Sequence, residues 1–133
     1  DVANVDYSYV HDIAFENIRL ECSDYEPAPV FQESEEQVYS SESKYYPFLF
    51  FVAIYYSEEY SSKGERGRIN NITFKDIYEY SDQMPNSKIF GYDEKHKAEN
   101  IYFENVFLND KKIDSIENAN IYTENYTDNV TFK

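Results

Sequence analysis

Apolar and polar residues alternate in four short stretches of this chain, and the four stretches are nearly the same phrase. "DIAFENI" runs from Asp12 to Ile18, "NITFKDI" from Asn71 to Ile77, "NIYFENV" from Asn100 to Val106 and "NVTFK" from Asn129 to Lys133. Each carries an aliphatic (Ile13, Ile72, Ile101, Val130) and, two positions on, a phenylalanine (Phe15, Phe74, Phe103, Phe132). Side chains two apart in a strand share a face, so these pairs are predicted to point inward. The residue after each Phe then faces solvent: Lys75, Glu104 and Lys133 carry alternating charge on the last three copies. Four residues past the aliphatic come Asn17, Asp76 and Asn105, each followed by another aliphatic. Asn and Asp tolerate the left-handed backbone region better than other residues with a Cβ, so one such residue between two strands turns the chain.

The aliphatic positions are 59, 29 and 29 residues apart. A fixed period in this range marks a solenoid, in which each repeat covers the apolar face of the next. Strand, corner, strand is what one coil of a parallel β-helix needs, and stacking the copies predicts a column of Phe rings beside a ladder of corner side chains. Val30–Phe31 and Ile89–Phe90 both begin 17 residues past their aliphatic and predict a second strand at one phase. The 59-residue gap reads as one degenerate coil, with a buried strand over Phe48–Ile54 between two long polar loops, Glu33–Lys44 and Ser57–Arg68. Leu20 and Leu108 agree in phase, but Glu79 stands where an apolar residue is expected, so its rung is predicted to be shifted and Glu79 exposed. The expectation is an all-β single-stranded solenoid of about four to five coils, one domain over 1–133.

Charge narrows the ligand. The net charge of −14 repels phosphate backbones and anionic bilayers, which argues against nucleic acid or membrane as partner. A polyanionic sugar would need a local basic pocket, whereas neutral or cationic ligands meet no such barrier. Cys22 is the single cysteine, so neither an intrachain disulfide nor a cysteine metal cluster can form, and a small buried hydrophobe is its expected role. No signal-peptide pattern opens the chain, and the apolar run Pro47–Tyr56 is too short to span a bilayer. A soluble bacterial protein, cytoplasmic or secreted, without cofactor or metal, is expected.

The phrases "HDIAFENIRLE" (His11 to Glu21), "RGRINNITFKDI" (Arg66 to Ile77) and "GYDEKHKAENIYFENVFLNDKKI" (Gly91 to Ile113) cover about a third of the chain. They resemble coils of the pectin-lyase-like right-handed parallel β-helices, and more narrowly the later coils of polygalacturonase-like glycoside hydrolases, family 28. The resemblance is specific for coil architecture more than for chemistry. The hydrolytic machinery it implies is an Asp cluster with a nearby His and an Arg-Ile-Lys strand. Here no Asn-Thr-Asp, Asp-Asp or Gly-His-Gly occurs, and "GRIN" keeps only Arg68 and Ile69 of the basic strand, with Asn70 in place of Lys. The resemblance therefore implies the C-terminal part of a longer carbohydrate-active protein, with its catalytic coils upstream and this chain inactive alone.

Glycoside cleavage uses two carboxyl groups, roughly 5–5.5 Å apart for retention or ~6.5–9.5 Å for inversion. The 17-residue match puts Glu35 and Glu94 at one phase, with Asp93 adjacent and His96 placed to serve as a base. A solvated acidic loop accounts for the same residues. Calcium could use these carboxylates, but no EF-hand spacing is present. Tyr92, Tyr55 and Tyr56 are candidates to stack on sugar rings, and Arg68 is a substrate contact through the resemblance. The leading expectation is thus the C-terminal coils of a glycoside-hydrolase-like β-helix, completing the helix and lining a groove for a polysaccharide or oligosaccharide partner. A non-catalytic glycan- or protein-binding module is the rival, and self-association through open strand edges is a third expectation.

Overall fold

The four phrases lie side by side. In the computed structural model, which describes residues 1–22, 48–62, 64–82 and 84–133, Ile13 pairs with Ile72, Ile72 with Ile101 and Ile101 with Val130. The strands are β1 (Val2–Asn4), β2 (Tyr9–Cys22), β3 (Phe51–Ile54), β4 (Arg68–Ser81), β5 (Ser87–Phe90), β6 (Ala98–Leu108), β7 (Lys111–Lys112), β8 (Ile121–Thr123) and β9 (Thr127–Phe132). They form two sheets. One is ordered β1-β3-β5-β8; the other is ordered β2-β4-β6, with β9 and β7 both on β6. Every pairing is parallel except the short hairpin β6–β7. Among the described residues there is no helix, and hence none long and apolar enough to cross a membrane.

Alternation decides what is buried. Ile72, Ile101, Phe74, Phe103, Ile77 and Val106 of the long sheet face Val52, Ile54 and Ile89 of the other and form one buried cluster. The Phe column is present as predicted: Phe15, Phe74, Phe103 and Phe132 stack at 5.0–5.2 Å between ring centroids, with planes 11–15° apart. Phe50, from the turn before β3, sets its ring against both Phe74 (4.8 Å) and Phe103 (5.0 Å), closing the core from the opposite side. Tilted and edge-on contacts of this kind suit the ring quadrupole.

Asn17, Asp76 and Asn105 are the predicted corners, at φ 57°, 53° and 55°. A second corner five residues earlier, Asp12, Asn71, Asn100 and Asn129, has φ 53–57°. Their side chains bond from one rung to the next: Asn71 donates to Asp12, Asn105 to Asp76 and Asn129 to Asn100. An amide carries both a donor and an acceptor, so a column of Asn can link successive rungs where a column of Asp alone would repel.

Several expectations are corrected. The 59-residue interval spans one step from β2 to β4, which pair directly, but its details differ. The buried strand begins at Phe51 rather than Phe48, and Phe48 is exposed. Ile89 is flanked by Val52 and Thr123, so its rung partners come from β3 and β8; Val30 and Phe31 lie outside the described residues. Glu79 is neither shifted nor exposed: it sits in register between Leu20 and Leu108, fully buried. Backbone pairing of twelve neighbouring positions fixes the register of β2 on β4, and one unfavourable side chain cannot break it.

Candidate functional site

The residue runs that enter the long sheet from the short one all turn at the same edge of the molecule. Gly64–Gly67 precedes β4, Gly91–Lys97 precedes β6 and Tyr126 precedes β9. Neighbouring rungs approach closely there. A Cβ on Gly67 would run into the carbonyl of Ser8, and one on Gly91 into the carbonyl of Tyr126 and, at 2.8 Å, that of His96. These turns border an open surface cavity of about 390 Å³ lined by Gly64, Glu65, Arg66, the five residues Tyr92–His96, and Tyr126.

Its floor is a compact turn. Asp93 and His96 form an isolated bridge, and Tyr92 N–H donates to the carbonyl of His96 at 2.8 Å. The Asp93 carboxylate accepts from the backbone N–H of Lys95 (2.9 Å) and His96 (3.0 Å) and meets the imidazole Nδ1 at 2.6 Å. Burial works against the Asp93 charge, but those N–H donors and the ring outweigh it and hold its carboxyl below the usual range. An ionised acceptor requires an imidazole proton on Nδ1, on a side chain only 12% exposed.

Arg66 forms one wall. It is buried, and its guanidinium donates to the carbonyls of Val5, Ser62 (2.7 Å) and Gly64 (2.9 Å), with Tyr56 at 5.3 Å and Tyr92 at 6.0 Å from the ring centroids to the guanidinium carbon. The planar fork suits several carbonyls at once and fixes a positive charge beside two aromatic faces.

Of the sequence candidates, Asp93, Glu94, His96 and Tyr92 are brought together here, and Tyr56 reaches the same wall through Arg66. Tyr55 is elsewhere, packed with Phe51 and Phe90 on the outer face of the short sheet. Arg68 is also elsewhere. Its Nη2 is 2.8 Å from Glu99 Oε2 on the exposed face of the long sheet. In "RGR" strand alternation sends Arg68 outward, whereas Arg66 lies before the strand and turns in. Glu35 is outside the described residues. Glu65, Arg66 and Tyr126 were not anticipated, because only the meeting of turns from different strands brings them to this cavity. Among the described residues no three His, Cys, Asp or Glu side chains gather as a metal site.

No known family, curated protein or solved structure matches the chain.

Proposed function

We propose that the chain forms consecutive coils of a right-handed parallel β-helix and serves a carbohydrate-active, glycoside-hydrolase-like protein as a sugar-binding segment. The solenoid reading is supported by the order in which the chain visits the sheets. β1, β3, β5 and β8 of one alternate with β2, β4, β6 and β9 of the other, each strand parallel to its predecessor. Crossovers between parallel strands of one sheet are right-handed in nearly all proteins, which supports the hand.

The cavity at the Tyr92–His96 turn carries the binding reading. Its size suits one or two pyranose units, Tyr92 and Tyr126 offer aromatic surface, and Glu65, Glu94 and Lys95 supply acceptors and donors for hydroxyls. The lining mixes both signs of charge on a strongly acidic chain, which favours a neutral sugar. The Asp93 carboxylate already accepts three hydrogen bonds within its own turn, so it is a poor general acid. That observation favours binding without catalysis by this chain, with the acid and base of any hydrolysis supplied by other coils.

Calorimetry with neutral oligosaccharides tests the proposal. Saturable binding is expected, weakened about tenfold by Tyr92→Ala through loss of a stacking face worth roughly 0.5–1.5 kcal/mol beyond its buried area. Absence of saturable binding to any neutral glycan overturns it. Hydrolysis by the isolated chain, lost in Glu94→Gln, overturns the non-catalytic assignment.

A further inference from the structure

Among the described residues eleven adopt the left-handed backbone region, and ten of them are Asn or Asp. The eleventh is Tyr126, at φ 65°. A Cβ crowds the following carbonyl in this region, and Asn or Asp offsets the cost by a local hydrogen bond that a tyrosine cannot make. The repeat does not impose this conformation. Ala98 pairs with Thr127, Ile69 with Ala98 and Tyr9 with Arg68, so Tyr9, Arg68 and Lys97 hold the same place in the other rungs, and none of them is left-handed. The strain is held from several sides. The Tyr126 carbonyl accepts from Ala98 N–H at 3.1 Å and lies against Gly91, while Thr127 Oγ1 and Glu124 N–H both donate to the Ile89 carbonyl, at 3.0 and 3.2 Å. Backbone strain persists only where the surroundings over-determine it, and it gathers where a side chain serves a ligand.

We propose that Tyr126 is a sugar-contacting residue of the cavity at the Tyr92–His96 turn, its ring supplied there at a cost in stability that Asn at the same place avoids. The inference rests on the sugar-binding reading of that cavity. Tyr126 lines the cavity and is half-buried. Its side chain makes no hydrogen bond, ion pair or ring contact within the fold. Other tyrosines differ: Tyr78 is stacked on Phe107, the Tyr80 hydroxyl donates to Asp110, and the Tyr92 ring has the Arg66 guanidinium at 6.0 Å. An aromatic ring without a partner in the fold, at the wall of a cavity, is placed to meet the apolar C–H face of a pyranose. Strain accepted in the free protein in exchange for such a contact is the usual trade of stability against function.

Thermal melts of the 133-residue chain, together with calorimetry against neutral gluco-, manno-, galacto- and xylo-oligosaccharides, test this. Tyr126→Asn is expected to raise the melting midpoint by about 2–6 °C while weakening saturable sugar binding about tenfold. Tyr126→Phe, which keeps both ring and strain, is expected to leave the midpoint unchanged and to retain binding within about threefold. Undiminished binding by Tyr126→Asn overturns the proposal and leaves the sugar reading in place, as does a midpoint that stays level or falls. A wild-type chain that binds none of these sugars overturns the sugar reading and this inference with it.

Discussion

Asn105 sits at φ 55°, donates its side-chain amide to Asp76, and gives its backbone N–H to the carbonyl of Lys133 at 3.0 Å. A residue with a Cβ and no local hydrogen bond costs roughly 1–2 kcal/mol in this left-handed region. Asn105→Ala is therefore expected to lower unfolding free energy by about 2–3 kcal/mol, strain and lost ladder bond together, with Asn105→Gly costing less; urea titration separates them. Gly91→Ala is expected to destabilise more, because the methyl meets the backbone of two segments, and to abolish occupancy of the adjacent cavity. The corners were legible in the sequence because the preference of Asn and Asp for this conformation is local. The clash at Gly91 was not legible, since it depends on which turns of neighbouring rungs meet.

At the scale of the strand, β4 carries the weakest inward position and borders the firmest. Phe103 of its neighbour β6 is stacked on Phe74 and Phe132 and touched edge-on by Phe50, so Phe103→Ala is expected to cost about 3–5 kcal/mol, while Phe15→Ala, partly exposed on β2, costs visibly less. Glu79 lies in the same interior with both carboxylate oxygens buried and, among the described residues, no well-formed hydrogen bond to them, Ser81 Oγ being close by. Burial pushes the Glu79 carboxyl above its ordinary 4.5, only partly opposed by Ser81, and the same burial, with the nearby Glu79 charge, raises the Cys22 thiol.

The folded chain thus holds a proton that the unfolded chain releases. Its stabilising effect is complete below the unfolded value and is lost as pH rises toward the folded one, so stability falls with rising pH across that window. Glu79→Leu is expected to flatten that slope and to raise neutral-pH stability by about 1–3 kcal/mol, the typical cost of an unsatisfied buried polar group. Denaturant melts at mildly acidic and mildly alkaline pH provide the check. The Phe column was readable from period-2 alternation. The fate of Glu79 was not, because register is a property of the whole β2–β4–β6 pairing and overrides one residue's preference for water.

Across the whole molecule, the number of strand partners differs from strand to strand. β4 and β6 have partners on both sides, whereas β1, β2, β8 and β9 are paired on one side among the described residues. Amide hydrogen exchange is therefore expected to be slowest in β4 and β6 and faster toward both ends, by sub-global opening from the edges. A uniform exchange profile would contradict a rung-by-rung architecture. Four of the sequence-marked site residues, Tyr92, Asp93, Glu94 and His96, share a cavity because they are adjacent in one turn. Arg66 and Tyr126 reach the same cavity only because the turns of successive rungs stack. By itself the sequence determined the rung: its alternating face, its Asn and Asp corners and its 29-residue repeat, all consequences of local backbone geometry. Tertiary structure alone decided that Arg66 rather than Arg68 lines the cavity and that Glu79 is buried. Each of those follows from which strand edges pair, and backbone pairing binds the chain more strongly than any single side chain resists.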